Sequence, residues 1–224
     1  MTDQPVGEPV DATPAQRPGP VRLAGHFGAV EKLDPSRHGE SLWRAIEGHP
    51  ALWTYLFHGP FADAAAFSTW LGARATLDDP YTYAIVGADG AAVGIASLMT
   101  IRPEMRAIEV GYILLSPALQ RTALASEAQY LLAAYAFETL GYRRYEWKCD
   151  VLNAASRGAA TRLGFQFEGV FRQHMIAKGR NRDTAWFAML DRDWPARRAA
   201  FERWLDPDNF DAAGRQRQSL DRLK

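Results

Sequence analysis

"EVGYILLSPALQRTALASEAQYLLAAYAFETLGY", residues 109–142, decides the fold. An apolar, strand-like VGYILL meets a Ser-Pro break. QRTALASEA then opens a long amphipathic pattern that stops at Gly141, in the place of a glycine just past a helix C-terminus. A strand emptying into a helix N-terminus offers unpaired backbone N–H groups and the positive end of the helix dipole, so phosphate can bind there without a charged side chain. Arg121 and Thr122 add donors. The plainer reading is an ordinary turn with Thr122 as helix cap. Ala123 stands where a phosphate-binding turn commonly has glycine. In a left-handed conformation it would cost roughly 1–2 kcal/mol, so it is expected to have a negative φ, in or entering the helix.

On the N-terminal side, AVEKL (29–33) reads as a first strand. A helix follows over 35–48, with Ser36 as cap and Leu42, Trp43 and Ile46 on one face. A second helix is expected over 59–75, with Pro60 at its start and Phe61, Ala65, Phe67 and Leu71 for packing. YTYAIVG (81–87) and AAVGIASLMTI (91–101) make a hairpin through ADG, and AIEVGYILL (107–115) is the next strand. On the C-terminal side, RRYEWKCDV (143–151) alternates, with Tyr145, Trp147, Cys149 and Val151 inward. A short helix, 153–164, precedes two strands, 165–177 and 183–190, joined through KGRNR. The expected order is strand, two helices, three antiparallel strands, helix, strand, helix, two strands: an α/β (α+β) domain with a mixed sheet and helices on both faces. Residues 1–20 carry five prolines and little apolar surface, and are expected to be a flexible tail. The domain is expected over 21–195, with a C-terminal helix and polar tail over 196–224.

Length and a 47% hydrophobic content fit one good core. A net formal charge of zero argues against non-specific nucleic-acid binding. A single cysteine, Cys149, excludes an internal disulfide and suits a reducing, cytoplasmic setting. No apolar run approaches the roughly 20 residues of a membrane span, and the first residues do not read as a secretory signal. The five histidines lack metal-ligand spacing, so no metal is expected. Neither a dinucleotide-binding glycine fingerprint nor a nucleotide-hydrolysing P-loop is present.

Gln120-Arg121-Thr122-Ala123-Leu124-Ala125 resembles the [QR]-x-x-G-x-[GA] acetyl-CoA turn of the GCN5-related N-acetyltransferase (GNAT) family, matching at Gln120 and Ala125 and departing at Ala123. EVGYILLSPALQ is similar to the preceding strand of the RimJ/RimL ribosomal-protein branch. VLNAASRGAATRLGFQFEGVFR resembles that branch's Asn-x-x-Ser helix and the GF…EG that follows. The element order fits over roughly residues 22–195. The resemblance implies a mostly antiparallel, twisted sheet with a splayed strand pair holding acetyl-CoA. It places the pyrophosphate on the N–H groups of residues 120–126, Gln120 to Ser126, and the pantetheine arm against backbone groups of Ile113, Leu114 and Leu115. Asn153 would reach the same arm or cap the following helix. An N–H near Leu114 would stabilise the oxyanion.

The implied activity is transfer of acetyl to a primary amine, a protein N-terminus or a small-molecule amine, by direct attack on the thioester. Period-2 counting puts Glu109 on the face of Gly111, Ile113 and Leu115. Half-buried there, its pKa would rise and it would serve as base; the family often has a Glu on this strand about 11 residues before the turn's Gln, which Glu109 and Gln120 match. The plainer role for Glu109 is a salt bridge to Arg102 or Arg106. Ser156, the Ser of Asn-x-x-Ser, would protonate the leaving thiolate, or merely bond the helix backbone. Tyr112, on the opposite strand face, and Cys149 read as core. For the acceptor, Trp53, Tyr55 and Phe57 form a wall or a core patch, with His58 and His174 as polar contacts. HMIAKGRNRDTAW (174–186) is a basic hairpin: a solvated turn, or a site for an acidic acceptor, for the phosphates of an aminoacyl-nucleotide, or for the 3′-phosphate of CoA. A non-catalytic acyl-CoA-binding module and a partner-binding domain stand as alternatives, and a homodimer through edge strands or the terminal helix is open.

Overall fold

The computed structural model describes residues 4–212 and 214–223. In chain order the elements are β1 (Arg22–Ala24), β2 (Gly28–Lys32), α1 (Pro35–Ile46), α2 (Ala64–Ala75), β3 (Tyr81–Gly87), β4 (Ala92–Arg102), β5 (Ala107–Leu115), α3 (Ala123–Ala134), β6 (Arg144–Asp150), α4 (Ala154–Leu163), β7 (Gln166–Ala177), β8 (Arg180–Leu190) and α5 (Trp194–Leu205). The mixed sheet with helices on both faces is as expected; β1 is an addition. The turn between β7 and β8 is tighter than KGRNR, because β8 begins at Arg180.

Capping explains the shifted helix starts. Asp34, not Ser36, caps α1, its carboxylate accepting from the Ser36 N–H at 2.9 Å. Asp63 caps α2, accepting from the Ala66 N–H at 2.8 Å, so α2 starts at Ala64 and not at Pro60. Thr122 caps α3, which widens into a π-turn over Tyr135–Thr139 before Gly141 takes a φ of +80°.

The sheet order is β1-β2-β3-β4-β5-β6-β8-β7, eight strands, antiparallel except for β5–β6. That parallel pairing runs only from Ala107↔Arg144 to Val110↔Trp147. Beyond it β5 stays with β4 (Gly111↔Ser97, Leu114↔Ile95), while β6 stays with β8 (Lys148↔Trp186, Asp150↔Thr184). The two central strands therefore part from Gly111 onward.

Each sheet face has its own core. Ile108, Val110, Tyr145, Trp147 and Cys149 pack under Leu132 of α3, Leu163 of α4 and Phe201 of α5. Ala84, Ile95 and Leu114 pack under Leu42 and Ile46 of α1 and Phe67 and Leu71 of α2. Each such side chain contributes roughly 1.5–3 kcal/mol by leaving water. The ends are more engaged than a flexible tail and a polar tail. Ala15 and Gln16 donate N–H bonds to Pro103 and Leu140 carbonyls at 3.1 and 2.8 Å. Phe210 packs edge-on against Phe27 and Trp204, and Leu220 is buried in the core.

Candidate active site

The site is built where β5 and β6 separate, and β5 is irregular there. Between the Gly111↔Ser97 and Leu114↔Ile95 pairs β5 takes three steps to β4's two. The extra residue is absorbed at Tyr112, whose φ is +51°. This bulge inverts the alternation. Ile113 and Leu115 pack with the same cluster as Ile108 and Val110, so Glu109 shares a face with Gly111 but not with Ile113 and Leu115, contrary to the period-2 count. Tyr112 is not core: it is half-buried and lines a cavity.

Glu109 is buried, 7% exposed. One oxygen accepts from Lys148 Nζ at 2.7 Å and from Thr100 Oγ1 at 3.0 Å. Its partner is thus neither Arg102 nor Arg106, which go to Glu146 and to the Gly141 carbonyl. Lys148 also lies 2.8 Å from Glu146 Oε2, and Arg144 donates to Glu146 Oε1 at 2.7 Å. Burial alone would raise the Glu146 carboxyl; hydrogen bonds from Lys148 and Arg144 and the surrounding charges outweigh it and hold it below its usual value.

From the other sheet face, Trp147 Nε1 donates to Ser156 Oγ at 3.0 Å, and the Ser156 N–H donates to Asn153 Oδ1 at 3.1 Å. Asn153 therefore caps α4, and in doing so fixes Ser156. With one lone pair taken by the indole, the Ser156 hydroxyl has its proton left to donate, and the Cys149 thiol is its neighbour on that side. Cys149 is a buried free thiol raised above its usual value chiefly by burial, which suits a core residue.

These groups meet in one cavity of about 150 Å³. Glu109, Tyr112 and Lys148 line it together with Ile113, Asn153 and Ser156. Since Trp147 and Cys149, also in its lining, belong to one face and Glu109 and Lys148 to the other, the cavity passes through the gap between the strands. Leu52, Tyr55, Leu56 and Phe57, from the α1–α2 connection, roof it, and Tyr55 donates to the Leu152 carbonyl at 3.1 Å. Trp53, expected as acceptor wall, is instead 3% exposed in the α1–α2 core among Phe61, Phe67 and Trp70. His174 sits outside the cavity, on the β7–β8 hairpin, with Nδ1 3.0 Å from Thr184 Oγ1. His58 Nδ1 contacts the Tyr112 hydroxyl; burial, then the Arg74 and Lys178 charges, lower its pKa. Arg74 lies 3.4 Å over the Tyr112 ring, and burial lowers it to about 10.

At the start of α3 the left-handed residue is Arg121, with a φ of +64°, and not Ala123, which is the first helical residue. Gln120, Thr122 and Ala125 use their N–H groups within the turn; those of Ala123 and Leu124 belong to the open first turn that any helix has. Gln120 and Arg121 are exposed. Ser126 Oγ accepts from Arg162 Nη2 at 2.8 Å, tying α3 to α4. Gln120 Nε2 donates to the Leu115 carbonyl at 3.1 Å. The Leu114 carbonyl faces β4, so close that a Cβ on Gly94 would meet it at 2.7 Å. Backbone groups of Leu114 thus turn away from the gap, and those of Ile113 and Leu115 turn toward it.

Reading the sequence missed Lys148, Arg74 and Arg182 as site residues. Alternation alone signalled Lys148, on the same face of its strand as Glu146 and Asp150. The bulge that brings Tyr112 into the cavity left no signal.

Residues 32–166, more than half of the chain, match the family model described as Acetyltransferase (GNAT) domain. The crystal structure of a GCN5-related N-acetyltransferase from Brucella melitensis is 44% identical, with a TM-score of 0.93 over 95% of this chain and 98% of that one. A GNAT-family structure from Chromobacterium violaceum ATCC 12472 is 42% identical, with a TM-score of 0.80 over 88% of this chain and 100% of that one. The Bacillus subtilis (strain 168) protein named "Putative ribosomal N-acetyltransferase YdaF" is 30% identical over 106 residues, 47% of this chain and 57% of that protein. The chain thus spans little more than half the length of that curated relative.

Proposed function

The chain belongs to the GNAT acetyltransferase family, and from that premise we propose that it moves the acetyl group of acetyl-CoA to a primary amine. The observation that carries this reading is the cavity in the β5–β6 gap, which joins Glu109 from one sheet face to Ser156 from the other. Acetyl-CoA supplies a thioester as acyl donor. The residues suit it: the first-turn amides of α3, with Arg121 and Thr122 beside them, take the pyrophosphate, and the gap-facing backbone of Ile113 and Leu115 pairs with the amides of the arm.

In the transfer the amine nitrogen forms a bond to the acetyl carbon and the carbon–sulfur bond breaks. Glu109 takes the proton from the amine. Lys148, already bonded to Glu109, fixes the orientation of its carboxylate. Ser156, held by Trp147 and by its own N–H bond to Asn153, donates to the sulfur. Tyr55 and Phe57 cover the acceptor side. Trp53 supports that cover from the core, where its carbonyl accepts from Lys178 Nζ at 2.7 Å.

The test is thiol release from acetyl-CoA on a panel of amines, with cofactor affinity measured in parallel. Glu109→Gln is expected to lower kcat by roughly 10²–10⁴-fold while acetyl-CoA binding is kept, since Lys148 retains Glu146 as partner. Unchanged turnover removes Glu109 as base, and an absence of saturable acetyl-CoA binding removes the cofactor reading itself. Among the described residues no helix is long and apolar enough to cross a membrane, and the free thiol of Cys149 supports a cytoplasmic setting. A homodimer would use β7, an edge strand with Phe167, Phe171 and Ile176 exposed; sedimentation velocity across a concentration series tests it.

A further inference from the structure

Two carboxylates, Glu109 and Asp150, and two cations, Lys148 and Arg182, line the cavity. Glu109 and Lys148 are bonded to each other, and Lys148 also pairs with Glu146. Arg182 is different. It enters the cavity from β8, on the strand face that also carries Thr184 and Trp186. Trp186 packs against the Lys148 ammonium, 4.1 Å from its ring centroid, so this is the Glu109 side of the sheet. Arg182 is only 8% exposed, and its Nε is buried with no hydrogen-bond partner. Among the described residues it makes no ion pair; its neighbour is the Phe57 ring, with the guanidinium carbon 5.0 Å from the centroid. A guanidinium whose buried Nε lacks an acceptor is costly and is kept where something anionic completes it.

We propose that Arg182 anchors a carboxylate of the acceptor, so that the acceptor is a small amine that also carries a carboxylate, such as a free amino acid. This rests on the acetyltransferase reading for its chemistry, but the anchor is a binding claim that can be tested apart from it. The guanidinium fork matches a carboxylate in two parallel hydrogen bonds. Lys148 is held by Glu109 and Glu146, and Asp150 accepts from the Leu152 N–H, so of the two lining cations only Arg182 makes no ion pair among the described residues; a single guanidinium suits a monoanion better than a phosphate dianion. Size points the same way. The cavity measures about 150 Å³, and by that measure a water needs roughly 10–15 Å³. The space therefore holds on the order of ten small groups, shared between the acetyl end of the cofactor arm and a small acceptor. The Tyr55–Phe57 roof closes over it. An acceptor held at Arg182 by its carboxylate has its amine as the remaining polar end, to be directed at Glu109.

The experiment compares free L-amino acids with their carboxamides as acceptors in the acetyl-CoA assay, using wild type, Arg182→Gln and Arg182→Lys. In parallel, calorimetry follows binding of the N-acetyl amino acids, the products, and of their amides. Wild type is expected to prefer acid over amide, and the preference to fall by roughly 30-fold or more in Arg182→Gln, with Arg182→Lys between the two. Thermal melts of both variants verify that they are folded. Equal use of acid and amide by wild type, a preference that survives in folded Arg182→Gln, or a stronger preference for aminoalkyl phosphates overturns the proposal. If no amine is acetylated but N-acetyl amino acids bind in an Arg182-dependent way, the acetyltransferase reading fails and the carboxylate anchor stands. If neither turnover nor carboxylate binding is seen, the anchor falls too.

Discussion

Ser156 is tied to its surroundings at several points: its oxygen accepts from Trp147 Nε1 at 3.0 Å, its N–H donates to Asn153 at 3.1 Å, and its hydroxyl also bonds the Cys149 thiol. Ser156→Ala removes the first tie and leaves a part-buried indole N–H without a partner, which costs about 1–3 kcal/mol. The variant is expected to lose that much stability in urea unfolding and also to lose kcat with little change in the KM for acetyl-CoA. A loss of stability with kcat intact would assign the hydroxyl to the indole alone. The pairing of Ser156 with Trp147 could not be read from the sequence. The two are nine positions apart and belong to different elements, so only the packing of α4 on β6 joins them. Glu109 was legible as the polar residue of an apolar strand. Its ion pair to Lys148 was not, because that pair crosses from β5 to a strand that is adjacent only through a helical crossover.

At the scale of elements, the α3 turn explains its own alanine. Ala123 is already helical, so glycine there would lose conformational freedom and cost roughly 0.5–1 kcal/mol. The strained position is Arg121, at φ +64°, where glycine would recover about 1–2 kcal/mol. The expected outcome is opposite shifts of the urea midpoint, downward for Ala123→Gly and upward for Arg121→Gly; same-sign shifts would contradict this turn geometry. Residue 123 was readable because helix periodicity fixes its place. The displacement of the left-handed residue to 121 was not, since it depends on how Gln120 and Thr122 bond back onto Ser116 and Leu119. The β6 charge cluster ties β4, β5 and β7 to β6 through Arg102, Glu109 and the Arg144–Glu168 pair. Because the Glu146 carboxyl lies below its ordinary 4.5 in the fold, it stabilises the protein above that value, and the contribution is lost as pH falls through the folded value. Acid titration of the urea midpoint should therefore show a drop below about pH 4.5 that Glu146→Gln reduces. The same variant should already be weaker at neutral pH by about 1–3 kcal/mol through the lost charge-assisted hydrogen bonds, while Lys148 and Arg144 keep Glu109 and Glu168 as partners. An identical acid dependence in both proteins would remove Glu146 from this role.

At the scale of the whole molecule, the element order and the helices on both sheet faces were legible because long periodic segments override local detail. The ends were not. A proline-rich composition reads as a tail, since composition says nothing about backbone bonds to a distant surface. Yet Gly19 donates to the Tyr135 hydroxyl at 3.1 Å and accepts from the Tyr83 hydroxyl at 3.0 Å, and Ala15 and Gln16 bond to Pro103 and Leu140. Residues 4–10, by contrast, are exposed throughout. The functional boundary of the domain is therefore proposed near residue 11 and not at residue 20. A chain starting at residue 11 should melt like the full chain, whereas one starting at residue 20 loses these four hydrogen bonds together with those of Val21 to the Gly19 carbonyl and Arg106 to the Asp11 carbonyl, each contributing about 0.5–1.5 kcal/mol, and should melt several degrees lower. The same reasoning applies at the other end, where Leu220, 2% exposed, completes the core beneath α4. Ending the chain at residue 205 removes Leu220 and the Phe210 contact to Phe27, so it should lower the melting temperature at least as much. A chain of residues 20–205 that melts with the full-length protein would show that neither end belongs to the folded unit.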